Sequence, residues 1–230
     1  MTIILYLLPV QISSFNQSDS MSTFWYIITI TGSPAGFIAV VFLMLLIMFI
    51  ETKSLKFFNK KVFVFFASVI LIQIALTAGL QLMKSCFKIQ RPYQQILIKN
   101  GLGENERTLL QSIPEDKKSD FIENNINKNK LNHINSLILE SWLSEKAYSF
   151  PSGHSQTSFF AAILLSFVIL VKAPGYKYLA VIPVIWCILV SISRVLAGFH
   201  FPSDVMAGAF IGLATGLIIV SYDKFVSLIN

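Results

Sequence analysis

The sequence predicts an all-α fold, a polytopic membrane helix bundle of five to six transmembrane helices with a mostly helical extracytoplasmic insertion. Composition is the first reason, because 54% of the 230 residues are hydrophobic and only 13% are charged, against about 45–50% and about 25% in soluble domains. The second is the presence of several apolar runs near the 20 residues or so that cross the hydrocarbon layer. We expect one membrane-embedded domain over residues 1–230, with residues 93–150 forming the extracytoplasmic cap between the third and fourth spans.

Five apolar runs predict spans: residues 24–50, 62–83, 153–171, 178–192 and 205–222. The first contains Gly32-Ser33-Pro34, which bends that helix or begins it, since proline disrupts a helix interior. The apolar opening of about twelve residues reaches only about 18 Å as a helix. We expect residues 1–12 to form a truncated or partially inserted helix, and their lack of a basic leader argues against a signal peptide.

Orientation follows from Lys and Arg in the short loops, which favour the cytoplasm. Residues 51–61 hold four lysines and residues 172–177 hold two, whereas residues 11–23 hold neither Lys nor Arg. The first two segments and the C-terminus are therefore expected to face the cytoplasm. The long loop 84–150 then faces outward, since long loops translocate largely regardless of charge. Apolar residues at helical spacing in this loop predict short amphipathic helices, either a solvated cap or a functional lid against the lipid. This topology indicates a multi-pass plasma membrane protein, the inner membrane in a bacterium.

Several function classes lack support in the residues. The net charge is +6, but no basic helix or zinc-finger spacing accompanies it, so we expect no nucleic-acid partner and instead anionic lipid head groups. Cys86 and Cys187 lie at opposite depths of their apolar runs and form no CxxC pair, which makes a disulfide or redox site unexpected. No acidic cluster suits Mg²⁺ and no Cys/His set suits zinc.

Alternating spans bring four helix ends to the outer surface of the membrane, and these ends are polar. They carry Lys84, Arg91, Ser152, His154, Arg194, His200 and Asp204. Ionisable groups at membrane depth are costly and usually line a pathway or a site. Taken alone, a lysine after a span is an interfacial anchor. Three cations and two imidazoles at one surface indicate a functional site.

Three local patterns are informative. Lys84 and Arg91 are seven residues apart, so a helix continuing past Met83 would present both on one face and end at Pro92. The sequence Pro151-Ser152-Gly153-His154 is typical of a helix start, with Ser152 as N-cap and Gly153 allowing a ligand close to the backbone. Such a start binds anions through free N–H groups, although a purely structural cap has the same residues.

The third pattern is the pair His200 and Asp204 around Phe201-Pro202. With Pro202 as the first helical residue, Asp204 is the third and can reach back over the helix start as in a capping box. A contact with His200 would fix the imidazole tautomer and leave its other nitrogen free. The alternative is a capping aspartate beside an interfacial histidine.

The combined set favours phosphate chemistry. A phosphoryl group in transfer carries negative charge on three oxygens, which fixed cations and N–H donors stabilise. One histidine is suited to be the nucleophile and the other the general acid. Three fixed positive charges take the place of a metal, so no cofactor is expected.

The segments "KSCFKIQRP", "PSGH" and "SRVLAGFHFPSD" resemble the three signature motifs of the type 2 phosphatidic acid phosphatase superfamily, Lys-x6-Arg-Pro, Pro-Ser-Gly-His and Ser-Arg-x5-His-x3-Asp. The resemblance implies that His200 is the nucleophile, oriented by Asp204, and that His154 protonates the leaving group. It further implies phosphate binding by Lys84, Arg91, Ser152, Gly153 and Arg194, without a metal. Ser193 also matches, but no chemistry is assigned to it.

Within the membrane branch, the long loop before "AYSFPSGH" is most similar to that of the bacterial phosphatidylglycerophosphatase B group. That resemblance implies six spans, an outward-facing site, and the substrates phosphatidylglycerol phosphate, phosphatidate and undecaprenyl pyrophosphate. Two alternatives use the same site, a lipid phosphotransferase and a lipid A phosphatase. An alternative of another class is a non-catalytic lipid-binding or transport protein, whose cationic surface would only bind lipid head groups.

Overall fold

The computed structural model describes residues 20–52, 59–145 and 147–229, and within these ranges the chain is helical without any strand. Eleven α-helices occur in the described residues: α1 Ser20–Thr31, α2 Pro34–Thr52, α3 Lys60–Phe87, α4 Pro92–Ile96, α5 Glu104–Leu110, α6 Glu115–Asn125, α7 Ser136–Ser144, α8 Gly153–Lys172, α9 Val181–Leu196, α10 Pro202–Val220 and α11 Asp223–Val226. A π-helical turn, Leu97–Gly101, follows α4, and 3₁₀ turns occupy Lys128–Leu131 and Pro174–Ala180. The all-α prediction is confirmed.

Five segments of the described residues are long and apolar enough to cross a membrane: Pro34–Glu51, Lys60–Phe87, Gly153–Lys172, Pro174–Leu196 and Pro202–Val220. They correspond to the five predicted runs, which confirms the polytopic bundle. Of the two alternatives for Gly32-Ser33-Pro34, a bend or a helix start, the helix start is confirmed. Helix α1 ends at Thr31 and a separate helix begins at Pro34, so the span does not extend back to residue 24. Proline fits the first turn of a helix, where its missing N–H has no intrahelical partner to lose.

The apolar opening, residues 1–12, lies outside the described residues.

Helix α8 is the central element and packs against α2, α9 and α10. Its approach to α10 is close because α10 presents glycines four residues apart, as at other tightly packed membrane helix pairs. A Cβ at Gly208 would lie 2.2 Å from the Ser152 carbonyl oxygen, and one at Gly212 would lie 2.2 Å from that of Gln156. The N-terminal ends of α8 and α10 are therefore held side by side, and Ser152 N–H donates to Asp204 O at 3.0 Å.

Apolar side chains cover both the interior and the outside of the bundle. Phe65, Phe160 and Met44 are fully buried between the spans, whereas Leu71 and Ile218 are 65% and 71% exposed on the outer faces of α3 and α10. Exposed apolar surface on this scale marks contact with lipid or another protein. Together with the five spans, this surface makes the chain a membrane protein.

The insertion between α3 and α8 has its own hydrophobic cluster, which extends onto the loop between α9 and α10. Tyr93 stacks on Trp142 with ring centroids 5.4 Å apart, and Phe199 from the α9–α10 loop meets Tyr93 edge-on at 6.0 Å. Trp142 Nε1 donates to the carbonyl oxygen of Ala197 at 2.8 Å. The predicted helical insertion is confirmed, and its packing fixes the loop that carries His200.

Candidate active site

Six of the eight expected site residues line a single cavity of about 870 Å³ between α2, α3 and α8. They are Lys84, Arg91, Gly153, His154, Arg194 and His200. The remaining two, Ser152 and Asp204, are 0% and 1% exposed and lie within the packed starts of α8 and α10. The structure thus brings helix ends from four separate parts of the chain to one place.

The start of α8 has the expected cap. Ser152 is the N-cap, and its Oγ accepts from Ser155 N–H at 3.4 Å and from Ser155 Oγ at 3.1 Å. Among the described residues, no heavy atom beyond the helix's own backbone and the neighbours of Gly153 lies within 4 Å of the position a Cβ would take there, so this backbone faces open space in the cavity. The first N–H groups of a helix lack intrahelical partners, and here they border the cavity beside His154. This arrangement suits an anion.

Lys84 and Arg91 both reach the cavity, but not from one continuous helix as the sequence suggested. Helix α3 passes Met83 and ends at Phe87, because Lys88 adopts a left-handed conformation with φ 49° and donates its N–H to Lys84 O. Pro92 does not end that helix; it is the first residue of α4, with Arg91 as its N-cap. The two side chains therefore converge through the turn between α3 and α4.

Arg91 is held by backbone carbonyls from the segment before α8 and from the α9–α10 loop. Its Nε donates to Ala147 O at 2.7 Å and its Nη1 to Phe199 O at 3.2 Å, while Nη2 lies 3.2 Å from a carboxylate oxygen of Glu145. Burial lowers the pKa of Arg91 and Glu145 opposes that shift, and a guanidinium stays charged under these conditions. Glu145, which sequence analysis did not single out, is a counterion within reach of the cavity.

Arg194 lies in the last turn of α9, which extends past the predicted end at residue 192. It is 2% exposed, with its guanidinium carbon 4.0 Å from the centre of the Phe199 ring, a cation–π contact. Its Nε has no hydrogen-bond partner among the described residues. Buried charged donors are normally satisfied, so this guanidinium is a candidate for binding an anion in the cavity.

Asp204 caps α10 as predicted. It is the third residue of the helix after Pro202, and its Oδ2 accepts from Phe201 N–H at 2.9 Å. His200 Nδ1 lies 3.6 Å from the same oxygen, which is too long for a direct hydrogen bond. Ser149 lies between them, with Oγ 2.5 Å from Asp204 Oδ2 and 3.3 Å from His200 Nδ1.

The other ring nitrogen of His200 faces the cavity cations. Arg91 Nη1 is 3.3 Å from His200 Nε2, and since a guanidinium only donates, Nε2 is the acceptor and its lone pair points toward Arg91. Burial, and after it the charges of Arg91, Arg194 and Lys84, hold the pKa of His200 well below its ordinary 6.5. The imidazole is therefore neutral at neutral pH, as a nucleophile requires.

Further polar residues around the site were missed in the sequence or left without a role there. Ser193 is bound to Thr29 of α1 through their hydroxyl oxygens, 2.6 Å apart, so it ties α1 to α9. Gln73 of α3 and Gln156 of α8 exchange side-chain amide hydrogen bonds at 3.2 and 3.4 Å, and both line the cavity. Contacts between residues more than 80 positions apart leave no local pattern. In the described part of the chain no three His, Cys, Asp or Glu residues gather as metal ligands.

The family model described as the PAP2 superfamily matches residues 63–226, and the chain belongs to this superfamily. It is 31% identical over 227 residues to phosphatidylglycerophosphatase B of Haemophilus influenzae, covering 91% of this chain and 85% of the relative. It is 44% identical to lipid A 1-phosphatase of Rhizobium etli over 79 residues, 33% of this chain and 30% of the relative. A crystal structure of a transmembrane PAP2 type phosphatidylglycerolphosphate phosphatase from Bacillus subtilis aligns over 97% of this chain and 96% of that one, with 16% identity and a TM-score of 0.34.

Proposed function

We propose that this protein is an integral membrane lipid phosphatase that hydrolyses the phosphate or pyrophosphate of its substrates through a phosphohistidine intermediate, without a metal. The main support for this proposal is a cavity between apolar membrane helices, in which two histidines lie among three cations, Lys84, Arg91 and Arg194. Fixed cations placed where charge develops are the main requirement of phosphoryl transfer.

The first half-reaction is nucleophilic substitution at phosphorus. The phosphoryl oxygens bind the three cations and the N–H groups at the start of α8, beside Ser152 and Gly153. His200 Nε2 attacks phosphorus, and the bond from phosphorus to the leaving oxygen breaks. The negative charge of the bound substrate favours the protonated form of His154. This form gives its proton to the leaving oxygen, so that an alcohol or a lipid phosphate departs and phosphohistidine remains.

The second half-reaction returns the enzyme to its starting state. The now neutral His154 accepts a proton from a water molecule, whose oxygen attacks the phosphohistidine. The bond between phosphorus and Nε2 breaks, inorganic phosphate forms, and His154 is again protonated. Asp204 stabilises the positive charge that His200 acquires in both steps.

The remainder of the cavity supports a lipid as substrate. Below the cations its wall is apolar, with Phe37, Ile38 and Val41 from α2 facing Ile70 and Ile74 from α3. Its volume, about 870 Å³, exceeds what a phosphate group alone requires. The names of the two relatives point to phosphatidylglycerol phosphate and to lipid A as substrate types, and we add phosphatidate and undecaprenyl pyrophosphate because each presents a phosphate on an apolar chain.

The site is proposed to face the extracytoplasmic side of the plasma membrane, the periplasm if the host is a Gram-negative bacterium. Lys60 and Lys61 begin α3 and Lys84 is in its last turn, so the lysine-rich end and the cavity lie at opposite ends of one span. The lysine-rich end belongs in the cytoplasm by the distribution of charge.

The proposal is tested by phosphate release from purified protein in detergent with EDTA present. The native protein should release phosphate from undecaprenyl pyrophosphate, phosphatidylglycerol phosphate or phosphatidate, and vanadate should inhibit. His200→Ala and His154→Ala should each lose activity while still purifying as folded protein. Full activity in either variant contradicts the role assigned to that histidine, and release that depends on an acceptor lipid indicates a phosphotransferase.

A further inference from the structure

Ser149 occupies an unusual place for a residue outside the three motifs. It lies between α7 and α8 in the extended segment before Pro151, is 0% exposed, and donates its backbone N–H to Ile89 O at 2.8 Å. Its hydroxyl oxygen contacts both Asp204 and His200, whereas those two side chains are too far apart to bond directly. The contact therefore lies on the Nδ1 side of the His200 ring, away from the cavity.

The position of the Ser149 proton follows from the partners. A hydroxyl has one proton and two lone pairs, and the ionised Asp204 Oδ2 at 2.5 Å and the Phe199 carbonyl at 3.5 Å both only accept. The shorter contact takes the proton, so Ser149 donates to Asp204. Its lone pairs are then left to accept from His200 Nδ1, which must carry the hydrogen.

The opposite side of the imidazole gives the same tautomer independently. Arg91 Nη1 only donates and lies 3.3 Å from Nε2, so Nε2 must be the unprotonated nitrogen. Two unrelated contacts, one on each ring nitrogen, thus select the form of His200 whose lone pair points toward the phosphate-binding cations.

We propose that Ser149 is a positioning residue that connects Asp204 to His200, so that the chain of hydrogen bonds runs from Nδ1–H through the Ser149 hydroxyl to the carboxylate. This inference rests on the proposed role of His200 as nucleophile. When Nε2 bonds to phosphorus, the imidazole becomes positively charged and both hydrogen bonds strengthen, with the proton remaining on Nδ1. Since Ser149 lies away from the cavity, its effect is on the rate of the chemical steps and not on lipid binding.

The test compares three substitutions at this position with a matched control. Ser149→Ala and the near-isosteric Ser149→Cys, whose thiol is a weak donor, should lower kcat about 10–100-fold, the usual effect of losing a hydrogen bond to a charged group. KM for the lipid should stay within about twofold, and Ser149→Thr should recover most of kcat. Ser158→Ala is the control, because Ser158 is equally buried on α8 but its hydroxyl, among the described residues, bonds only to the Ser155 carbonyl; it should keep native kcat.

A double-mutant cycle with Asp204→Asn separates positioning from a general loss of structure. If Ser149 acts through Asp204, then Ser149→Ala adds less than about twofold to the effect of Asp204→Asn. Fully multiplicative effects, or native kcat in both Ser149→Ala and Ser149→Cys, overturn the inference about Ser149. Full activity of His200→Ala in the same assay instead overturns the proposed function, so the two failures are distinguishable.

Discussion

His200 is neutral because burial, and after it the cations proposed to bind phosphate, disfavour a proton on its ring. Burial and the cations Arg91, Arg194 and Lys84 all depress its pKa. In the proposed mechanism, the charges that stabilise the transferring phosphoryl group therefore also keep His200 in its reactive form. This dependence of the His200 pKa on the neighbouring cations predicts how kcat/KM changes with pH.

The active form of His200 is the deprotonated one, so activity is lost as the pH falls through its pKa. Because that pKa lies well below 6.5, the acid limb of the kcat/KM profile should fall below pH 6.5. Removing one depressing charge in Lys84→Met should move this limb to higher pH, in addition to raising KM. The measurement is kcat/KM between pH 4 and 8, and a limb that stays in place or moves to lower pH in the variant contradicts this dependence.

Arg194 provides a second residue-level prediction. Its buried Nε has no partner among the described residues, and in the proposed site the planar guanidinium, held over Phe199, binds a phosphoryl oxygen. Arg194→Lys keeps the charge but loses this geometry, and we expect about a 10–100-fold fall in kcat/KM together with weaker vanadate inhibition. Native kinetics in Arg194→Lys would show that charge alone suffices.

Among the helices, the close packing of α8 against α10 sets the distance between their N-terminal ends, which carry Ser152 and Asp204. Gly212→Ala should force the helices apart, since its Cβ would lie 2.2 Å from a backbone oxygen, and overpacking of this kind costs about 1–3 kcal/mol. A lower melting temperature and reduced kcat are the expected results in detergent. Gly79→Ala is the matched control, because no atom from elsewhere in the described part of the chain lies within 4 Å of the position its Cβ would take. Equal melting temperatures for the two variants would contradict the close packing of α8 and α10.

The elements also show what local sequence can predict. Apolar run length predicted five spans, because crossing the hydrocarbon layer imposes a minimum length. Proline and serine chemistry predicted the starts of α8 and α10, since capping depends on neighbouring residues. The end of α3 was not predictable in this way, because Lys88 is an ordinary lysine whose left-handed conformation depends on the surrounding fold.

The bridging role of Ser149 was also beyond the sequence. Its partner Asp204 is 55 residues away, and the two meet because the starts of α8 and α10 lie side by side. A serine in a polar stretch of sequence does not by itself indicate a catalytic or positioning role. Glu145 was missed for the same reason, since its pairing with Arg91 spans the whole insertion.

At the scale of the whole molecule, the distribution of lysines predicts which end of the bundle faces outward. In a Cys86→Ser, Cys187→Ala background, a single cysteine at exposed Asn132 of the insertion should react with a membrane-impermeant maleimide in intact cells. A cysteine at exposed Lys177, between α8 and α9, should react only after the membrane is permeabilised. Labelling of the Lys177 position in intact cells would reverse the proposed topology.

The most direct test of the account is to trap the covalent intermediate. Native protein mixed with a lipid substrate carrying ³²P in its terminal phosphate, and quenched within milliseconds at alkaline pH, should hold label on a peptide containing His200, in acid-labile and base-stable form. His200→Ala should hold none, and His154→Ala should form the labelled species slowly and release it slowly. Label on another residue, or steady-state turnover with no labelled protein at any quench time, would contradict the central claim that His200 Nε2 attacks phosphorus.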